Sequence, residues 1–183
     1  MRKTFIANIV LGAFLSLGMA SAKAPVVPLT DEGIEKATGH EIRMYPHYTI
    51  WDNLTYRVQN GTVELNGEVS QPYKKDDLAR LVQRIPGVVS VVNNIKVLPL
   101  SPNDDRLRAQ VARAIFRDPV LSRYSVQPVP SIHIIVDNGR VTLEGIVANE
   151  SDKNIAGIRA NSAGLSFGMV TNNLIVENSI KKS

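Results

Sequence analysis

Cysteine is absent from the 183 residues, which excludes a disulfide framework, a thiolate metal site and thiol redox chemistry. Aromatic residues make up only 5%, so the chain has little material for large stacking platforms. There are three histidines, His40, His47 and His133. His40-Glu41 opens like H-E-x-x-H, but Met44 stands where the second ligand is needed, so a zinc-protease site is excluded. The apolar run from Phe5 to Met19 is shorter than the roughly 20 residues of a membrane span. It lies behind Arg2 and Lys3 and ahead of small residues, the layout of a secretory signal peptide, with A-x-A sites ending at Ala22 or Ala24.

Charge of one sign is also scarce once that leader is set aside. The whole chain carries 21 Lys+Arg against 17 Asp+Glu, and cleavage after Ala24 removes Arg2, Lys3 and Lys23, leaving 18 against 17. A near-neutral export product lacks the broad basic surface on which nucleic-acid binding depends. The expected organisation is a signal peptide over 1–24, a first unit over 25–99, a second over 100–178 and a polar tail over 179–183.

What the chain does contain is one hairpin written twice. NGTVELNGEV at 60–69 and NGRVTLEGIV at 138–147 share Asn-Gly and alternate Val, Leu, Gly and Val at a constant spacing of 78 residues. Two-residue turns at Asn60-Gly61 and Asn138-Gly139 set the register. They place Val58 opposite Val63, Tyr56 opposite Leu65, Ile134 opposite Leu143 and His133 opposite Glu144. Gly67 and Gly145 then fall on the inner face, where a missing side chain is expected to admit a helix closely.

An amphipathic helix follows the first hairpin, with Leu78, Leu81, Val82 and Ile85 on one side, and a weaker one follows the second, with Ile155 and Ile158 expected inward. A helix also precedes each hairpin. Ser101, Pro102 and an acidic first turn open the one that carries Leu107, Val111, Ala114 and Ile115. Its counterpart offers Ile34, Ala37 and Ile42, interrupted by Gly39. Each copy ends in a strand holding an Asn-Asn pair, VVNNIKV or VTNNLIV. The predicted fold class is therefore α+β: two tandem α-β-β-α-β units, each a small three-stranded mixed sheet with two helices on one face.

This order, together with the NGxVxLxGxV hairpin, Pro86-Gly87-Val88 and the Val92-Asn93-Asn94-Ile95 strand, resembles the BON-domain family; the second copy matches at Asn138, Gly139, Val141, Leu143, Gly145, Val147, Asn172, Asn173 and Leu174. The resemblance implies a non-catalytic module of the bacterial cell envelope, exported or periplasmic, without cofactor or small-molecule substrate. It further implies attachment to an anionic phospholipid surface, with roles in envelope integrity and osmotic tolerance, or interaction with an envelope protein.

Candidate residues follow from the helix before the second hairpin. Arg106, Arg113 and Arg117 project in one arc with Gln110, and Phe116 lies outside the apolar stripe. A basic stripe beside an aromatic suits a phospholipid interface, while a solvated helix face is the plain alternative. Tyr45, Tyr48, Trp51 and Tyr56 read as core filling. Ile135 and Ile146 on the helix-free face are expected to be covered, since their equivalents Arg57 and Glu68 are charged. Gly164-Leu165-Ser166-Phe167-Gly168 spells a nucleophile elbow, but it follows a helix and precedes a strand, the reverse of what that motif needs.

Overall fold

The computed structural model describes residues 29–126, 130–163 and 170–177. The leader, the G-x-S-x-G stretch and the polar tail lie outside these residues. The first repeat runs α1 (Asp31–Met44), β1 (Asn53–Gln59), β2 (Thr62–Val69), α2 (Pro72–Gln83), β3 (Ser90–Asn93) and β4 (Lys96–Val97). The second runs α3 (Pro102–Phe116), β5 (Ile132–Asp137), β6 (Arg140–Val147), α4 (Glu150–Ala163), β7 (Thr171–Asn172) and β8 (Ile175–Val176), with a 3-10 turn at Leu121–Tyr124. In each sheet an antiparallel hairpin is joined by a parallel third strand that the Asn-Asn pair splits in two.

Local chemistry explains the elements. Asn60 and Asn138 have φ of 51° and 52°, and Gly61 and Gly139 have 72° and 79°, the type I′ geometry that suits the twist of a two-residue hairpin. The register is the one the alternation dictates, including Tyr56 opposite Leu65 and Ile134 opposite Leu143. Ser101 Oγ accepts from Asp104 N–H at 3.3 Å and Pro102 occupies the first turn of α3. Gly39 does not interrupt α1: a Cβ there would sit 2.3 Å from the Tyr56 hydroxyl, so the glycine admits the tyrosine against the helix.

Expectations for the hairpin glycines and for α4 need correction. Gly67 and Gly145 have φ of 110° and 112°, and a Cβ would meet the carbonyl oxygens of Asn53 and Ser131 at 2.1 and 2.0 Å. The constraint is backbone geometry within the hairpin, not close approach of a helix. In α4 Ile155 is half-buried against the second core, as expected, but Ile158 is 64% exposed and the buried face is Asp152, Ala156, Gly157 and Ala160. Small residues let α4 lie close to its neighbours, and the side chain of Asn172 occupies the space above Gly157.

In each repeat one carboxylate ties the first helix to its hairpin. Asp31 accepts from the N–H groups of Asn60 and Gly61 at 2.7 and 2.8 Å, and Asp104 accepts from those of Asn138 and Gly139 at 3.0 and 2.9 Å. The Asn-Asn pairs are equally matched. Asn93 and Asn172 donate to the carbonyls of Lys75 and Lys153, while Asn94 and Asn173 donate to Glu64 and Glu144.

Each repeat has its own apolar core, and the segment before β1 links them. Tyr48 packs on the first core and Ile50 and Trp51 on the second. Ile134 N–H, on the free edge of β5, donates to Ile50 C=O at 2.7 Å. Lys96 and Asp137 pair at 2.7 Å across the joint. Ile135 is 5% exposed, as expected of a covered sheet face, but Ile146 is 44% exposed. Ile146 lies beyond Gly145, at the end of the sheet away from Asp137, where it pairs with the half-exposed Ile175.

Candidate functional site

α3 packs on the second core through Leu107, Val111 and Ile115, which directs Arg106, Arg113 and Arg117 outward. The three arginines do not form one patch. Arg106 donates to Asn103 at 3.2 Å and borders a groove beside the Asn138-Gly139 turn, together with Gln110. Arg113 and Arg117 lie about two and three turns beyond Arg106, around an open hollow of ≈ 390 Å³ that Arg159 of α4 also lines. Arg159 Nε donates to Asp118 at 2.8 Å and holds that carboxyl below its usual range. Asp118 is the only carboxylate lining the hollow among the described residues. Phe116 is half-buried against the second core. Arg159 was not legible as a site residue from its own helix, since only the fold brings α4 beside the end of α3.

The first repeat contains the same hollow. Matching the helices by their turn-holding aspartates, Asp31 and Asp104, sets Met44 at the place of Arg117, Tyr45 at that of Asp118 and Pro46 at that of Pro119. The hairpin spacing sets Leu81 at the place of Arg159 and Arg84 at that of Ser162. These first-repeat residues line a depression of ≈ 380 Å³. Both hollows are tied across by a side-chain bond, Tyr45 Oη to Asp77 at 2.8 Å in one and Arg159 to Asp118 in the other. Aligned prolines four residues beyond the buried Ile42 and Ile115 are the sequence signal that relates them.

The most polar interior constellation is structural. Asp52 and Lys74, 0% and 3% exposed, pair at 2.6 Å. Asp52 also accepts from Ser70 N–H, Ser70 Oγ, Thr49 N–H and Thr49 Oγ1. Burial pushes the Asp52 carboxyl up, but the bonds from Lys74, Ser70 and Thr49 outweigh it and hold the group low. With every oxygen engaged and no exposure, the pair has no face for a substrate. Asp152 occupies the place of Lys74 in the second repeat and bonds Arg123 and Tyr124 instead. There the Tyr124 hydroxyl accepts from Ala148 N–H, as Asp52 accepts from Ser70 N–H in the first. The sign of the helix charge is reversed and the tie is kept.

His133 differs from the simple cross-strand pair expected of it. It is opposite Glu144, but Glu144 Oε1 accepts from Asn173 at 2.8 Å, and His133 is 8% exposed against the ring of Tyr48, 5.5 Å between centroids. Its Nδ1 has no hydrogen-bond partner among the described residues. Tyr45 and Tyr124 are buried, while Tyr48, Trp51 and Tyr56 are half-buried against the two cores, so the aromatics do fill the interior.

A duplicated α+β unit, each copy an antiparallel hairpin with a parallel third strand and two helices, defines a tandem-repeat class of fold. The BON domain family model matches residues 30–99 and again 103–178, and the chain belongs to that family. No curated protein matches it. Among solved structures it is similar to the C-terminal domain of CdsD, the structural protein of the type III secretion system of Chlamydia trachomatis. The identity is 19%, over 84% of this chain and 69% of that one, with a TM-score of 0.31. A second CdsD structure from the same organism gives 17%, 81%, 96% and 0.28. Likeness at that level carries no argument about function.

Proposed function

We propose that this chain is a non-catalytic module of the bacterial envelope that attaches to anionic phospholipid surfaces through α3 and the hollow at its C-terminal end. The observation that carries the reading is the grouping of Arg113, Arg117 and Arg159 around one hollow with a single carboxylate, and Arg106 further along the same helix. Each basic residue near an anionic leaflet contributes about 1 kcal/mol, falling off within a Debye length. The half-buried Phe116 adds apolar contact only with its exposed edge. Family resemblance supports the same reading, since its members are described as attaching to phospholipid surfaces in the envelope.

A second reading rests on a different observation. Ile146 and Ile175 expose a paired apolar strip on the helix-free face of the second sheet, at 44% and 50%, which favours a protein-interaction role. Vesicle co-sedimentation separates the two. Arg106→Gln/Arg113→Gln/Arg117→Gln is expected to weaken binding to phosphatidylglycerol vesicles by up to about 3 kcal/mol, with an unchanged circular dichroism spectrum because exposed positions contribute little to stability. Binding to purely zwitterionic vesicles should be weak, and added salt should reduce what remains. Unchanged binding by the triple variant would remove α3 as the contact and favour the protein-interaction role.

A further inference from the structure

The two equivalent hollows have diverged in chemistry, and the first one is built for a ligand of a different kind. In the second repeat three guanidiniums face one carboxylate. In the first, Glu41 and Asp77 balance Arg80 and Arg84 around a floor of Tyr45 and Leu81. From this geometry we propose that the first-repeat hollow is a glycan site that takes a neutral pyranose ring.

Three observations point there. The ring surfaces are fixed in place: His47 stands edge-to-face against Tyr45 at 5.5 Å and against Tyr73 at 5.6 Å, and the Tyr45 hydroxyl is held by Asp77, which Arg80 also holds. Apolar surface is left open on Met44, which lines the hollow and is 66% exposed, and on Tyr73, 48% exposed beside His47 and one turn before Asp77 on α2. The polar rim offers donors and acceptors together, with the carboxylates of Glu41 and Asp77 matched by the guanidiniums of Arg80 and Arg84.

A sugar ring matches that set. Its C–H faces stack on aromatic rings, whose faces carry partial negative charge, and its hydroxyls both donate and accept. A cavity of ≈ 380 Å³ lies at the small end of ligand sites. Anionic headgroups find no excess of positive charge here, unlike in the second hollow. An extended peptide requires a row of unpaired backbone groups at a strand edge, and this hollow lies between the ends of α1 and α2.

The test is a backbone-amide NMR titration of the full chain with two neutral β-1,4-linked tetrasaccharides, one of glucose and one of N-acetylglucosamine. At least one is expected to shift the amides of 44–47 and 77–84 with a Kd in the millimolar range. His47→Ala and, separately, Arg84→Ala should weaken it about tenfold; both positions are exposed, so the fold is retained. Arg113→Gln/Arg117→Gln should leave sugar binding unchanged, while the His47 variant should leave vesicle binding unchanged, so failure of this proposal and of the membrane reading are read separately. The proposal is overturned if neither sugar shifts these amides by about 10 mM, if the shifts map to other surfaces, or if both hollow variants bind as the parent does.

Discussion

Among single residues, His133 carries a definite pH consequence. Burial lowers its pKa, and the carbonyls of Asp52 and Thr49 and the charges of Asp52 and Glu144 only partly offset that. The imidazole is therefore neutral in the fold, and protonating it favours the unfolded chain. As pH falls through the unfolded value of about 6.5 towards the lower folded value, the unfolded state takes up a proton that the folded state does not, so stability drops. Asp52 acts in the same direction at lower pH, because its depressed pKa supplies stability that is present above 3.8 and lost as pH falls through the folded value. Urea denaturation at pH steps from 7.5 to 5.0, values that bracket the imidazole range, should show stability declining below about pH 6.5, and His133→Gln should flatten that part of the profile. A decline of the same slope in the variant would place the titrating group elsewhere.

At the scale of elements, the carboxylates that hold the Asn-Gly turns are the feature of most energetic interest. Asp104 is 3% exposed and Asp31 is exposed, yet each accepts two turn N–H bonds. Asp104→Ala should cost about 2–3 kcal/mol, since it leaves two N–H groups without their charged acceptor in a partly buried place. Asp31→Ala should cost about 1 kcal/mol, because water replaces the carboxylate. Equal losses in chemical denaturation would mean that burial does not set the size of this term. The hairpins themselves were legible because the Asn-Gly turn and the alternation of Val, Leu and Val are local signals. The clamps were not, as Asp31 and Asp104 lie 29 and 34 residues before their first partners and read as ordinary first-turn acids. Gly67 and Gly145 were found for the wrong reason, since periodicity assigns a face and says nothing of φ. The inward face of α4 was legible only through Ile155, because Ala156, Gly157 and Ala160 give little periodic signal while the exposed Ile158 gives a strong one.

In the whole molecule, the joint between repeats is made of sheet edge and aromatic packing rather than of linker alone. Trp51 belongs to the first repeat by sequence and packs on the second core. Trp51→Ala is expected to cost about 2–3 kcal/mol, less than full burial would imply because the ring is half-exposed. Amide hydrogen exchange should then show lost protection in β5 and β6 as well as around Trp51. Loss confined to residues before 100 would mean that the repeats are stabilised independently. Sequence reading anticipated that Ile135 is covered, but not that 48–51 run along the β5 edge, with Tyr48 against His133 and the Ile50 carbonyl bonded to Ile134 N–H. The basic stripe on α3 was legible and Arg159 was not, for the same reason: a helix wheel describes one element and the hollow is made by two.

The bond from Ile134 N–H to the Ile50 carbonyl also bears on the order in which the chain is made. A strand edge that waits unpaired invites association with other molecules while folding is in progress. Synthesis runs from the N-terminus, so Ile50 exists before β5 does, and Arg108, whose Nη2 donates to the Val136 carbonyl at 2.9 Å, precedes it too. When β5 emerges, the groups that close its edge are already present on the same chain. Exchanging the order of the two repeats would keep every residue, yet it would leave that edge to wait for its partner through the synthesis of an entire repeat.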